Sequence, residues 1–324
     1  MSSFKEIKVS PFTKFCTKAF LMITPEYKEI KKAKKMFQSI EPTFSTLPDM
    51  PISSIDIKGV NIRYAHSSLK DKPTVILLSP LPQSIVAFAP IWGILSKRYN
   101  LYAVDLPGYG RSEGGNEYMT FKRQGKFLQD FIDVFNIKNP HIVGPDVGMA
   151  ASLSYVCHNS TNVSSLLIGD GPGAKPSQNG SVINKLEKSR FWRTAFGILG
   201  SEVFAYAGIH LGYVNYSPNQ EEFNDYVLSY KGRIKTSTLW FKNYSSSIDS
   251  IQNNLKDIST PTLIFWGDKD KFLLPENVDT LEKIIPNTEI KIFKNCGHFS
   301  YQDKYKEFAD MVINWIDGGY SKIL

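Results

Sequence analysis

Asp146 stands at the centre of Gly144-Pro145-Asp146-Val147-Gly148. Glycines two before and two after a central residue permit the sharp strand-to-helix turn that lifts its side chain clear of a sheet. A helix starting there directs its free N–H groups and positive dipole end at that side chain, so a carboxylate stays ionised and can attack an electrophilic carbon. The same Asp could instead simply cap the helix, a common role for this residue type. Gly267-Asp268-Lys269-Asp270 offers carboxylates able to orient a base, or an ordinary Asx-capped turn. In Gly297-His298 the glycine lets a loop approach closely, and the imidazole is the only one of five that directly follows a predicted strand. His66, His141, His158 and His210 read as surface or packing residues, and Cys296 as a small apolar one. In Ser79-Pro80-Leu81-Pro82 both prolines lack an N–H, so Leu81 carries the only donor of the Pro-Leu-Pro. With the Val147 amide it could point at an oxyanion.

Such residues act together only if elements place them on one edge of a sheet. Ser54 to His66 reads as a hairpin turning at Gly59-Val60-Asn61. Strands are predicted at Pro73–Ser79, Leu101–Asp105, His141–Gly144, Val163–Ile168, Pro261–Gly267 and Glu289–Phe293. Helices are predicted at Phe121–Ile137, Gly148–Cys157 and Tyr305–Ile316, the first and last with apolar residues at three- and four-residue steps. Strands alternating with helices imply a mostly parallel, doubly covered sheet, whose sites lie at the carboxyl ends of its strands. The alternation stops between about 173 and 253, a stretch rich in Trp, Tyr, Phe and Leu. It is too long for a structureless loop, and reads as a helical lid or as further core helices.

The chain has 324 residues, 42% hydrophobic and 21% charged, which suits one large core with an insertion and excludes disorder. No repeat is visible. Three scattered cysteines, Cys16, Cys157 and Cys296, support neither a disulfide framework nor a thiolate metal site and fit a reducing, cytoplasmic setting. Residues 1–40 hold nine Lys and three Glu, leaving 29 basic and 28 acidic residues elsewhere. Six of the seven net positive charges therefore belong to an N-terminal segment, and the balance implies no nucleic-acid partner. There Lys28, Lys31, Lys32, Lys34 and Lys35 alternate with Tyr27, Ile30, Met36, Phe37 and Ile40, a basic amphipathic helix from near Pro25. It could lie on an anionic membrane or pack on the core. The apolar run Ala19–Ile23 is too short for a membrane span or a signal peptide, and the lack of Arg disfavours a mitochondrial presequence.

The order Asp146, Asp270, His298, each after a strand and with the insertion between the first two, resembles the α/β-hydrolase superfamily. Asp105-Leu106-Pro107-Gly108-Tyr109-Gly110-Arg111-Ser112 and Trp266-Gly267-Asp268-Lys269-Asp270 are similar to that family's third-strand loop and acid turn. The resemblance implies an α/β-hydrolase fold, with residues 1–50 as a basic, partly helical extension. The core would be 51–172 and 254–324, and the helical lid 173–253. It implies a nucleophile–acid–base triad of Asp146, Asp270 and His298, an oxyanion hole from the Leu81 and Val147 amides, and no metal or organic cofactor. Asp at the elbow resembles the epoxide hydrolase and haloalkane dehalogenase branch, whereas esterases and lipases use Ser. Asp146 would form an alkyl ester that His298-activated water hydrolyses, on an apolar small-molecule substrate.

Dehalogenases carry halide donors where this chain has Val147 and Leu81, which favours the epoxide reading. The strand-end motif keeps the last Pro of the epoxide hydrolase pattern but lacks its His and Gly. Where those enzymes carry a lid Tyr, this chain has Phe241. Tyr206, Tyr213, Tyr216, Tyr226, Tyr230 and Tyr244 are the substitutes on offer. A dehalogenase, another hydrolase, or a non-catalytic ligand-binding protein on this fold are the alternatives.

Overall fold

A computed structural model describes residues 7–36, 50–172 and 181–320. Eight strands form one sheet: β1 (Ile52–Ile57), β2 (Val60–Ser67), β3 (Thr74–Leu78), β4 (Asn100–Val104), β5 (His141–Pro145), β6 (Ser165–Gly169), β7 (Thr262–Gly267) and β8 (Thr288–Phe293). Their order is β1-β2-β4-β3-β5-β6-β7-β8, with β2 antiparallel to both its neighbours, β1 and β4, and every other pairing parallel. This is an α/β-hydrolase fold. The hairpin turns at Lys58-Gly59, one residue earlier than expected. Both residues have positive φ, and Val60 is already paired with Ile57.

Helices α1 (Pro11–Met22) and α2 (Pro25–Met36) precede the sheet. Then come α3 (Ala89–Leu95), α4 (Phe121–Val134) and α5 (Val147–Asn159). Six more, α6 (Val182–Lys188), α7 (Arg190–Gly212), α8 (Gln220–Tyr230), α9 (Ile234–Ser237), α10 (Leu239–Lys242) and α11 (Tyr244–Gln252), lie between β6 and β7. Finally α12 (Asn277–Ile284), α13 (Ser300–Asp303) and α14 (Tyr305–Asp317) flank β8. Alternate residues of β3 serve the two faces. Ile76 and Leu78 join the core of α4 and α5, and Val75 and Leu77 that of α3 and α14. The helical prediction for the stretch after 173 agrees with α6 to α11, although residues 173–180 lie outside the described part.

The basic helix predicted near Pro25 is α2, and it packs. Ile30 and Ala33 are buried, and Lys34 reaches the carbonyls of Ile209 (3.5 Å) and His210 (3.3 Å) near the end of α7. A cation there meets the negative end of that helix. Burial nonetheless lowers the Lys34 pKa to about 8. Phe37 and Ile40 lie outside the described residues. Among the described residues no helix is long and apolar enough to cross a membrane.

Candidate active site

Asp146 sits between β5 and α5 with φ 49° and ψ −126°, a conformation that L-residues rarely adopt. Its side chain makes no capping bond to α5, so it is not spent on the helix. The turn is held by its amide donating to the Gly169 carbonyl and its own carbonyl accepting from Met149, both at 3.0 Å. A Cβ on Gly148 would lie 2.8 Å from that of Leu78, and one on Gly144 only 2.6 Å from the Gly148 carbonyl oxygen. Both glycines are thus required by the close approach of α5 to the sheet.

The released carboxylate meets the strand-end residues expected from the sequence. The Leu81 N–H donates to Asp146 Oδ2 at 2.5 Å, and His298 Nε2 lies 3.6 Å from Oδ1. On its other side the imidazole Nδ1 donates to Asp270 Oδ2 at 2.8 Å. Asp270 is fully buried, and its Oδ1 accepts from the amides of Phe272 (2.8 Å) and Leu273 (3.1 Å), which hold it in place. Asp268 does a different job: its Oδ1 accepts from the Cys296 amide at 3.2 Å, tying the loop after β7 to the loop that bears the histidine. Val147 is buried at the first position of α5, directly behind Asp146. Burial by itself would lower the His298 pKa, but the carboxylates of Asp270 and Asp146 outweigh it and raise it to about 10. In the resting site the ring is therefore an imidazolium between two acids.

Asp170 was not foreseen. It ends β6 with positive φ, accepts from Gly267 N (3.0 Å) and Ser300 N (3.3 Å), and also from the Ser300 hydroxyl. It thereby joins the segments on either side of Asp270 and His298. Burial first, and then the nearby Asp270, raise its pKa well above the usual carboxylate range. A carboxylate following a strand, in Gly169-Asp170-Gly171, was the signal available.

Asp146 and His298 open on a narrow pocket. Most of the remaining wall is apolar, including Phe20, Leu186, Phe196, Phe204, Leu211 and Phe241. Of the six tyrosines, Tyr244 alone is among the wall residues. The Tyr230 hydroxyl donates to the Gln83 carbonyl (2.8 Å), Tyr216 to Glu222 (2.7 Å), and Tyr213 and Tyr226 join Gln302. Tyr206 packs on His210. Tyr206 and the Tyr216–Glu222 bond thus lie within the insertion, whereas Tyr213, Tyr226 and Tyr230 tie the insertion to the core. An ionic group does the same: Arg63 donates both Nη atoms to Asp225 of α8 at 3.0 Å, and Nη1 lies 3.5 Å from Asp105 after β4.

The family model described as alpha/beta hydrolase fold matches residues 73–305. Monoacylglycerol lipase ABHD6 of Mus musculus is 22% identical over 281 residues, 80% of this chain and 83% of that protein. Among solved structures, epoxide hydrolase CorEH has a TM-score of 0.71 at 17% identity, covering 83% of this chain and 99% of its own. Haloalkane dehalogenase DbeA from Bradyrhizobium elkani has a TM-score of 0.73 at 18% identity, covering 84% and 99%.

Proposed function

This chain belongs to the alpha/beta hydrolase fold family and is a hydrolase of that type, and from that premise we propose that it opens epoxides of apolar compounds through an ester on Asp146. The observation that carries the reading is the carboxylate at the elbow, uncommitted to capping, held by the Leu81 amide and faced by a histidine that Asp270 orients.

In the first step an Asp146 oxygen bonds to an oxirane carbon and the carbon–oxygen bond of the ring breaks. The opened oxygen takes a proton from the His298 imidazolium, with the Tyr244 phenol as a second donor on the pocket wall. Esterification removes the charge of Asp146, so the now neutral imidazole keeps only Asp270 as an anionic neighbour. His298 then takes a proton from water, whose oxygen attacks the Asp146 carbonyl carbon. The Leu81 amide, already 2.5 Å from Asp146 Oδ2, stabilises the oxyanion together with Val147 N–H. Collapse releases the diol and restores carboxylate and imidazolium. Asp170 acts through the segments it joins, as a positioning residue.

Ester cleavage, as the name of the lipase relative would suggest, fits this nucleophile poorly. Attack on an ester carbonyl would give a tetrahedral centre from which the carboxylate leaves more readily than an alkoxide, so the step would revert. Haloalkane cleavage balances chemically but needs donors for the departing halide, and Leu81 N–H is engaged by Asp146.

The test is intact-protein mass spectrometry of His298→Gln after incubation with a panel of epoxides and haloalkanes. Water can still protonate the opened ring in this variant, but ester hydrolysis lacks its base, so an epoxide adduct should accumulate on Asp146. Adducts from haloalkanes alone would move the reading to dehalogenation. Absence of any adduct, with tight binding retained, would favour a ligand-binding protein on this fold.

A further inference from the structure

Helix α1 is amphipathic in an unusual sense, because its apolar stripe faces outward. Phe12, Phe15, Ala19, Met22 and Ile23 recur at three- and four-residue steps, and the four large ones are 61%, 73%, 70% and 55% exposed. The face turned to the protein carries Thr13 and Thr17 beside Phe20 and Leu21. Polar bonds fix this orientation: Ser10 Oγ donates to Glu202 of α7 at 3.0 Å, and the Thr13 hydroxyl donates to the same carboxylate. The adjoining first half of α7 adds Phe191 (71% exposed) and Ile198 (80%). Between the two helices runs an open apolar groove floored by Ala19, Trp192, Ala195 and Leu199. An exposed patch of this size on one side of a globular protein marks an interaction site.

Two observations identify its occupant. The border is cationic: Lys14 and Lys18 are exposed along the edge of the stripe, and Lys185 sits 5.8 Å over the Trp192 ring. A second copy of the chain would bring two such borders together, whereas an anionic lipid surface complements them. Phe20 and Phe196, in edge contact at 4.9 Å between ring centroids, belong both to the groove and to the wall of the active-site pocket.

We propose that the face formed by α1 and the start of α7 docks on an anionic phospholipid bilayer, and that the Phe20–Phe196 pair is the partition through which a bilayer-dissolved substrate reaches Asp146. The outward aromatic and aliphatic side chains enter the acyl region while the lysines remain at the headgroups. Docking stands on the surface alone. Only the entry route rests on the hydrolase reading.

Co-sedimentation of the full chain with phosphatidylcholine vesicles, with and without phosphatidylserine, decides it. The wild type should bind the phosphatidylserine vesicles, less so in high salt. Phe12→Asp/Phe15→Asp/Phe191→Asp should bind them at least about tenfold more weakly, with an unchanged circular dichroism spectrum and melting temperature because all three side chains are exposed. Asp146→Asn should bind as the wild type does, which keeps docking separate from catalysis. In an active preparation the triple variant should lose kcat/KM toward an epoxide dissolved in vesicles and keep it toward a water-soluble one. Equal binding by wild type and triple variant, or no binding by either, overturns docking. So does a wild-type dimer in sedimentation velocity that the triple variant abolishes without any difference in lipid binding. Equal loss toward both epoxides overturns the entry route alone.

Discussion

Replacing Asp146 by Asn imitates the charge state of the ester intermediate without chemistry, and its effect on His298 can be worked from the geometry. Asp146 Oδ1 lies 3.6 Å from His298 Nε2, and Asp270 Oδ2 lies 2.8 Å from Nδ1. At an effective dielectric constant of about 20, a pair of unit charges 3.6 Å apart is worth roughly 4 to 5 kcal/mol. With about 1.4 kcal/mol per pH unit, loss of that partner should lower the His298 pKa by about three units. From about 10 in the resting site the imidazole would fall to near 7, where it can act as a base at neutral pH. The measurement is an NMR titration of the ring nitrogens in ¹⁵N-histidine-labelled wild type and Asp146→Asn, between pH 5 and about 10. Asp270→Asn, tested alongside, should also lower the pKa, and both substitutions together should return it below that of a free histidine, since burial then acts unopposed. A His298 pKa that stays near its wild-type value in Asp146→Asn would refute the idea that esterification converts the acid into the base.

Tyr244→Phe should reduce kcat toward epoxides by about 10²-fold or more, the scale of a lost acid-side donor, whereas Tyr206→Phe should leave turnover nearly unchanged. Equal effects in steady-state assays would dismiss the pocket assignment. Arg63→Met should destabilise the protein by about 3 kcal/mol in urea unfolding, because it removes the buried guanidinium shared by the Asp225 and Asp105 carboxylates. A loss below about 1 kcal/mol would show the ion pairs to be expendable. Burial raises the Glu222 pKa from 4.5 to about 7, against the hydrogen bonds from Asn219, Tyr216 and Gln302. The folded protein thus keeps a proton that the unfolded chain has already lost. Stability from this group is present below about pH 4.5 and declines as pH rises through 7, by roughly 3 kcal/mol in all. Glu222→Gln should show a shallower decline over that window, and an identical one would contradict the assignment.

Much of this was readable in the linear chain. Runs such as Thr74–Leu78 and Thr262–Gly267 are apolar on both alternating faces, which only a strand covered on two sides tolerates. The glycines about Asp146 announce a turn that longer side chains would block against Leu78. Asp270 and His298 were legible because each follows a predicted strand, and a parallel sheet carries its strand ends to one edge.

Other matters depended on packing. Both carboxylates of Gly267-Asp268-Lys269-Asp270 suit a turn, and only the position of the next loop decides that Asp270 meets the imidazole while Asp268 meets the Cys296 amide. Six tyrosines of the insertion are equivalent as a list. The fold places Tyr244 on the pocket wall and directs Tyr213 and Tyr230 to Gln302 and Gln83, which are distant in sequence. Asp170 gained its place from Ser300, 130 residues away. The basic N-terminal segment shows the division most sharply. Composition located its charge, and periodicity found the helix that follows Pro25. Which helix turns its apolar stripe inward was decided by the docking of both on α7: α2 covers the protein with Ile30, and α1 leaves Phe12 and Phe15 outside. Local sequence determines the conformation a segment can adopt and where its apolar side chains recur. The surface those side chains meet is built by residues elsewhere in the chain, and only the folded structure brings it to them.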